Sequence, residues 1–235
     1  VTTGAFYVDD VDLTLPGPFP LEIRRNYSSQ NPLKGEFGHG WRLSLTPYLV
    51  EEGDKRFAAE RDGSVIVYRR QPNSDKWVVL HDDNPDLFVF AEEESGRFVN
   101  PYHAYFKGDT LYSPDGSKRH FKEGLLHTWT APTGDTLTFS YSGKQLKRIE
   151  NTTGASCTFH YTPDGALSEI HSMDGQCLSY SYNSLGDLIS VRLPNTATIT
   201  YEYDHHHRII RETKSEGEVV ENSYDTKGRV TSQRS

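Results

Sequence analysis

Three consecutive histidines, His205-His206-His207, form the densest cluster of potential metal ligands in the chain. Neutral imidazole is a good zinc ligand, but neighbours along a strand face opposite ways, so three adjacent rings do not converge on one ion. Their place in a repeated turn, described below, makes them turn residues, and no metal ligand is assigned. Carboxylates come next: Asp9, Asp10 and Asp12, the pair Asp82-Asp83, and the run Glu92-Glu93-Glu94. Two of these could drive glycoside hydrolysis, one as acid and one as nucleophile or base. That chemistry needs burial or a close neighbour to raise one pKa. All three groups sit in turn-like stretches and read as solvated charge.

Gly35–Gly40 is glycine-rich and precedes Trp41, but it lacks the Lys-Ser/Thr ending and the following helix of a phosphate loop. It reads as a tight turn into a strand. No nucleophile-elbow motif organises the serines, histidines and aspartates into a hydrolase triad. Catalytic residues and cofactors are therefore none, and the expected class is non-enzymatic. The net charge of −8, with basic residues only in scattered pairs (Arg24-Arg25, Arg69-Arg70, Lys147-Arg148), excludes a nucleic-acid groove. No apolar stretch reaches membrane-span length, and no signal peptide is visible.

The elements that would position any such residues are set by a repeat. From Leu125 an apolar residue recurs every 21 residues: Leu125, Leu146, Leu167, Leu188, Ile209, Val230. A second ladder is aromatic: Tyr141, Tyr161, Tyr182, Tyr203, Tyr224, with one deletion within Ser142–Gln145. Four residues past the tyrosine stand Gly165, Gly186 and Gly228, with His207 in the odd copy. Asn183, Asp204 or Asp225 follows the tyrosine in the last three copies. Tyr-Asp-x-x-Gly between apolar stretches is hairpin chemistry, with Asp capping the turn and Gly taking positive φ. A second punctuation mark falls at Gly134, Gly154, Gly175, Asn195 and Gly217.

Before each tyrosine the chain alternates. Leu137, Cys157, Leu178, Ile199 and Val220 lie four back, and Phe139, Phe159, Tyr180, Tyr201 and Asn222 two back. Small or polar residues stand between them, so each copy predicts an antiparallel strand with one buried face. After the turn, Leu146 and Ile149, Leu167 and Ile170, and Leu188 and Val191 are three apart, which predicts a bulge. Cys157 and Cys177 precede successive tyrosines by four and five residues, so they face opposite sides and no disulfide is expected.

The fold class is all-β: tandem antiparallel hairpins of about 21 residues forming a curved, spiralling sheet, a partial shell. Low apolar content (34%) with 19 Gly and 14 Tyr suits short strands and many turns. Residues 1–110 read as an irregular β region punctuated at Pro16-Gly17-Pro18, Asn31-Pro32, Asp62-Gly63-Ser64, Pro72–Asp75 and Asp82–Pro85. Strands are expected at Val65–Tyr68, Trp77–Leu80 and Leu87–Ala91. Residues 111–235 are the repeat region, degenerate at Tyr112–Gly116 and regular from Gly134. The chain opens at Val1 and stops within a repeat, as an excised fragment would, and open sheet edges lead to an expectation of self-association.

The stretches Tyr161-Thr-Pro-Asp-Gly165, Tyr182-Asn-Ser-Leu-Gly186 and Tyr224-Asp-Thr-Lys-Gly228 resemble the tyrosine-aspartate repeat of the RHS family. Thr3–Tyr7, Asp12–Gly17, Pro20–Ser29 and Gly35–Trp41 are similar to the segment that often precedes such repeats in bacterial members. The resemblance implies a shell wall that encloses or presents a C-terminal polypeptide, a toxin in this family's pattern, within the same secreted or cell-surface parent. The remaining shell and that cargo are then its partners. Thr162, Ser142 and His205–His207 depart from the repeat pattern. The structural positions of such a wall are Tyr141, Tyr161, Tyr182, Tyr203 and Tyr224 with Gly165, Gly186 and Gly228. An adhesion or glycan-binding module is the alternative, since aromatic rings stack on sugar faces.

Overall fold

The computed structural model describes residues 4–45, 49–60, 65–80 and 104–235. All regular structure among them is β-strand, with no helix. The chain divides into two compact units. One comprises Val1–Leu15, Glu22–Leu45 and Ser156–Ser235; the other comprises Pro16–Leu21 and Thr46–Ala155. The Asp62–Ser64 turn, Asp82-Asp83, the Leu87–Ala91 strand and Glu92–Glu94 lie outside the described residues.

In the second unit, successive strands from Leu49–Glu52 to Gln145–Asn151 each pair antiparallel with the next. The expected strands at 65–68 and 77–80 are present as Val65–Arg70 and Lys76–Val79. One face of this meander is buried, with Tyr68, Trp77, Phe106, Leu111, Phe121, Leu137, Phe139 and Ile149 all nearly closed to solvent. Each such side chain contributes roughly 1.5–3 kcal/mol by burial. Arg56 also lies inside, its guanidinium 4.2 Å from the Trp77 ring centre and donating to Glu51 and Asp109.

In the first unit, strands from Ser156–Tyr161 to Val230–Arg234 follow the same rule. Strands Tyr7–Leu15, Leu21–Ser28 and Trp41–Leu43 form a separate three-stranded sheet. Lys34–Gly35 pairs with Gly38–His39 in the expected tight turn before Trp41.

Turn and bulge chemistry recur copy after copy. Gly165, Gly186 and Gly228 hold φ of 90°, 84° and 76°, and His207 takes 62° in their place. Asp204 Oδ1 accepts the N–H groups of His206 and Arg208; Asp225 and Asn183 do the same in their turns. The bulge lies where the apolar spacing put it. His160 pairs with Glu169 and Tyr161 with Leu167, leaving Ser168 as the extra residue. In the other glycine series the positive φ of the odd copy falls on Thr196 (69°), not on Asn195. Asn195 instead caps the turn by accepting the Ala197 N–H, because its side chain is the better acceptor.

Candidate functional site

The bulge sets up the tyrosine ladder. Pairing between adjacent hairpins stops early: Leu167–Ser172 meets Cys177–Tyr182 only from Glu169↔Ser179 to His171↔Cys177. Beyond that point the strands diverge and backbone carbonyls lose their partners. The tyrosine hydroxyl reaches across and donates to one of them. Tyr141 bonds the Leu126 carbonyl, Tyr182 that of Leu167, Tyr203 that of Leu188 and Tyr224 that of Ile209, each at 2.7 Å. Burial pushes the phenol pKa of Tyr161, Tyr182, Tyr203 and Tyr224 well up, so each hydroxyl keeps its proton. The rings are half-buried, with their polar tips occupied in this way.

In the first unit the N-terminal strands cover the aromatic face of the repeats. Trp41 Nε1 donates to the Tyr203 hydroxyl at 2.9 Å, and its ring meets Tyr201 edge-on at 5.1 Å. Phe37 packs on Tyr180, and the Tyr27 hydroxyl donates to the His207 carbonyl while accepting the Ile209 N–H. In this unit the chain's own N-terminal segment thus occupies the aromatic face of the repeats.

At the centre lies a buried ion pair. Arg25 Nε donates to Asp12 Oδ2 at 2.6 Å, Nη2 to Asp10 at 3.2 Å, and Nη1 to the Tyr201 hydroxyl at 3.0 Å. Tyr180 donates to the same Asp12 oxygen at 2.9 Å, and the guanidinium lies 4.8 Å from the Trp41 ring centre. Asp12 Oδ1 is sealed without a partner. The reading of Asp9, Asp10 and Asp12 as solvated turn residues is corrected as well. They lie on the strand Tyr7–Leu15, and only Asp9, bonded to Arg24, is exposed. Asp10 and Asp12 converge on one guanidinium and act as its counter-ions. The signal that would have found Arg25 is period two: Leu21, Ile23, Arg25 and Tyr27 share one face. Its acidic partner could not be chosen from three nearby aspartates.

His205 and His206 are exposed turn residues, as read, whereas His207 has specific neighbours. Its Nδ1 lies 2.7 Å from the buried Asp187 Oδ1, and its ring stacks on His39 at 3.7 Å, 14° from parallel. One ligand atom from each of His39, Asp187 and His207 lies within 4.8 Å of the other two, with His207 bonded to Asp187 and stacked on His39. Burial, and then the His207 charge, lower the His39 pKa. Sequence spacing could not reveal this cluster, because its members lie in three separate turns. The cysteines are both free and face opposite sides, as the register required. Burial pushes the Cys157 thiol up to about 12. No helix among the described residues is long and apolar enough to cross a membrane.

Residues 182–219 match the RHS repeat model, and residues 1–68 match a domain of unknown function, DUF6531. No curated protein matches the chain. Among solved structures it is similar to a chain of TcdB2-TccC3-Cdc42, at 16% identity and TM-score 0.41, covering 97% of this chain and 12% of that one. A Photorhabdus luminescens Tc holotoxin pore gives 14% identity and TM-score 0.39, covering 97% and 16%. A porin-like protein from Bacteroides uniformis gives 12% and 0.33, covering 80% and 92%. The chain thus spans under a fifth of the length of those toxin chains. The hairpin register, the recurring bulge and the phenol ladder run through residues 182–219 and through the copies beside them, so the chain carries RHS-type repeats.

Proposed function

We propose that this segment is a non-enzymatic structural wall, part of an RHS-type shell that encloses or presents a C-terminal polypeptide of the same parent. The observation that carries the reading is the phenol-to-carbonyl bond repeated between successive hairpins. It ties neighbours together where strand pairing lapses, which suits a barrier and serves no reaction. The setting consistent with such a role is secreted or cell-surface, the cargo being isolated sterically until release. The glycan-binding alternative required a row of open aromatic faces; here the ladder rings are half-buried with their hydroxyls bonded to backbone.

Limited proteolysis of the parent polypeptide tests the wall. With a tag on the polypeptide that follows the repeats, intact wall should protect it, and paired Tyr182→Ala and Tyr203→Ala substitutions should shorten its lifetime several-fold. Equal cleavage rates in both forms would remove the enclosure reading.

A further inference from the structure

The outward side of one hairpin pair carries residues that the repeat itself does not need. We propose that Glu169, His171 and Cys177 form a surface zinc site, with His160 as a fourth ligand, linking two neighbouring hairpins.

The placement follows from register. His171 pairs directly with Cys177 across two adjacent strands, Glu169 lies two residues before His171 on the same strand face, and His160 pairs with Glu169 on the other side. Directly opposed side chains on one face of a sheet stand close enough to share a small ligand. His171 Nε2 lies 3.8 Å from Cys177 Sγ and 2.7 Å from Glu169 Oε2. The His160 ring is 4.9 Å from that of His171 and 78° to it, so the two rings do not stack. Tetrahedral zinc, with bonds of about 2.3 Å to sulfur and about 2.0–2.2 Å to nitrogen and oxygen, needs S···N near about 3.5 Å and N···O near about 3.4 Å. Shifts of less than an ångström by half-exposed side chains meet both distances. Glu169 and His171 side chains are 48% and 45% exposed, so an ion can enter from solvent.

Charge and softness select the ion. A thiolate and a carboxylate carry two negative charges against one divalent cation, and thiolate with imidazole favours zinc over magnesium or calcium. Cysteine must lose its proton on binding, so affinity rises with pH. The other copies show that the fold does not call for these residues. At the Cys177 position they carry Thr136, Ser156, Thr198 and Val219; at that of His171, Glu150, Arg192 and Thr213; at that of His160, Ser140, Ser181, Glu202 and Ser223. Among the described residues, this hairpin pair collects two imidazoles, a thiol and a carboxylate together.

The test uses the reduced chain stripped with a chelator and then titrated with Zn2+ against a chromophoric competitor, and with Co2+ followed by its spectrum. One equivalent should bind, raise Tm, and give a thiolate-to-cobalt charge-transfer band. Cys177→Thr, which installs the residue found at Thr136 and Thr198, should fold normally, weaken zinc at least tenfold and remove the band. His171→Ala should do the same, while His207→Gly, a substitution toward the usual turn residue, should leave binding intact. Zinc affinity unchanged in Cys177→Thr, affinity lost in His207→Gly, or no charge-transfer band in the parent chain would each overturn the site.

Discussion

Arg25 Nε lies 2.6 Å from Asp12 Oδ2, and both side chains are closed to solvent. A buried pair of this kind gains little net stability over apolar residues of similar size, yet removing one partner strands the other charge. Its value here is registration: it fixes two strands of the N-terminal sheet, through Asp12 and Arg25, against Tyr180 and Tyr201 of two different repeats.

Arg25→Met should therefore cost about 3–5 kcal/mol, and the double variant Arg25→Met, Asp12→Leu should recover a large part of that loss. Urea midpoints of the single and double variants decide it. A double variant as unstable as the single would show that the guanidinium matters for packing alone.

The tyrosine ladder predicts unequal losses for one chemical change. Tyr203→Phe leaves both the Leu188 carbonyl and the Trp41 indole N–H without a partner. Tyr141→Phe strands the Leu126 carbonyl. At about 1–3 kcal/mol for each buried group left unsatisfied, the Tyr203 variant should be the less stable by at least about 1 kcal/mol. Chemical denaturation of the two variants measures the difference.

Glycines in the two turn series predict a second contrast. A methyl group on Gly175 (φ 89°) meets nothing within 4 Å, so Gly175→Ala pays only for the left-handed backbone, about 1–2 kcal/mol. On Gly38 (φ 85°) the same methyl collides with the Gly186 carbonyl oxygen, which is backbone and cannot swing away. Gly38→Ala should lower the melting temperature clearly more than Gly175→Ala. Gly186→Val should also destabilise, since it forces a β-branched residue to φ 84° beside Lys34.

Turn aspartates contribute to how stability falls in acid. The Arg229 backbone N–H holds the Asp225 carboxyl below its usual value. For Asp204, burial pushes upward but the Arg208 side chain and backbone outweigh it, so the shift is again downward. A carboxyl with a folded pKa below its unfolded one stabilises above the unfolded value, near about 4, and loses that contribution as pH falls through the folded value. Asp204→Asn with Asp225→Asn keeps the acceptor oxygen that Asn183 supplies in its own turn. The urea midpoint of this double variant should fall less steeply between pH 5 and about pH 2 than that of the parent chain.

Much of this architecture was readable in advance because it is local. The alternation ending at Phe159 and Tyr161 fixes which face is buried, the Leu167–Ile170 spacing marks the bulge, and Asp225 with Gly228 specifies a turn, all within one hairpin. The role of the Tyr182 hydroxyl was not readable, because its acceptor, the Leu167 carbonyl, is exposed only when neighbouring hairpins diverge.

Within the repeats, sequence alone determined the strands, their faces and the turns, since each depends on side-chain types a few residues apart, whereas the strand carrying Asp9, Asp10 and Asp12 was read as a turn. Tertiary structure decided what those faces meet. It buried Arg25 and Asp12 together 13 positions apart, set Trp41 on Tyr203 across 162 positions, and brought His39 to His207 and Asp187. The physical reason is that a period-two pattern shows that a residue is buried but carries no record of which distant group supplies its missing charge or hydrogen bond.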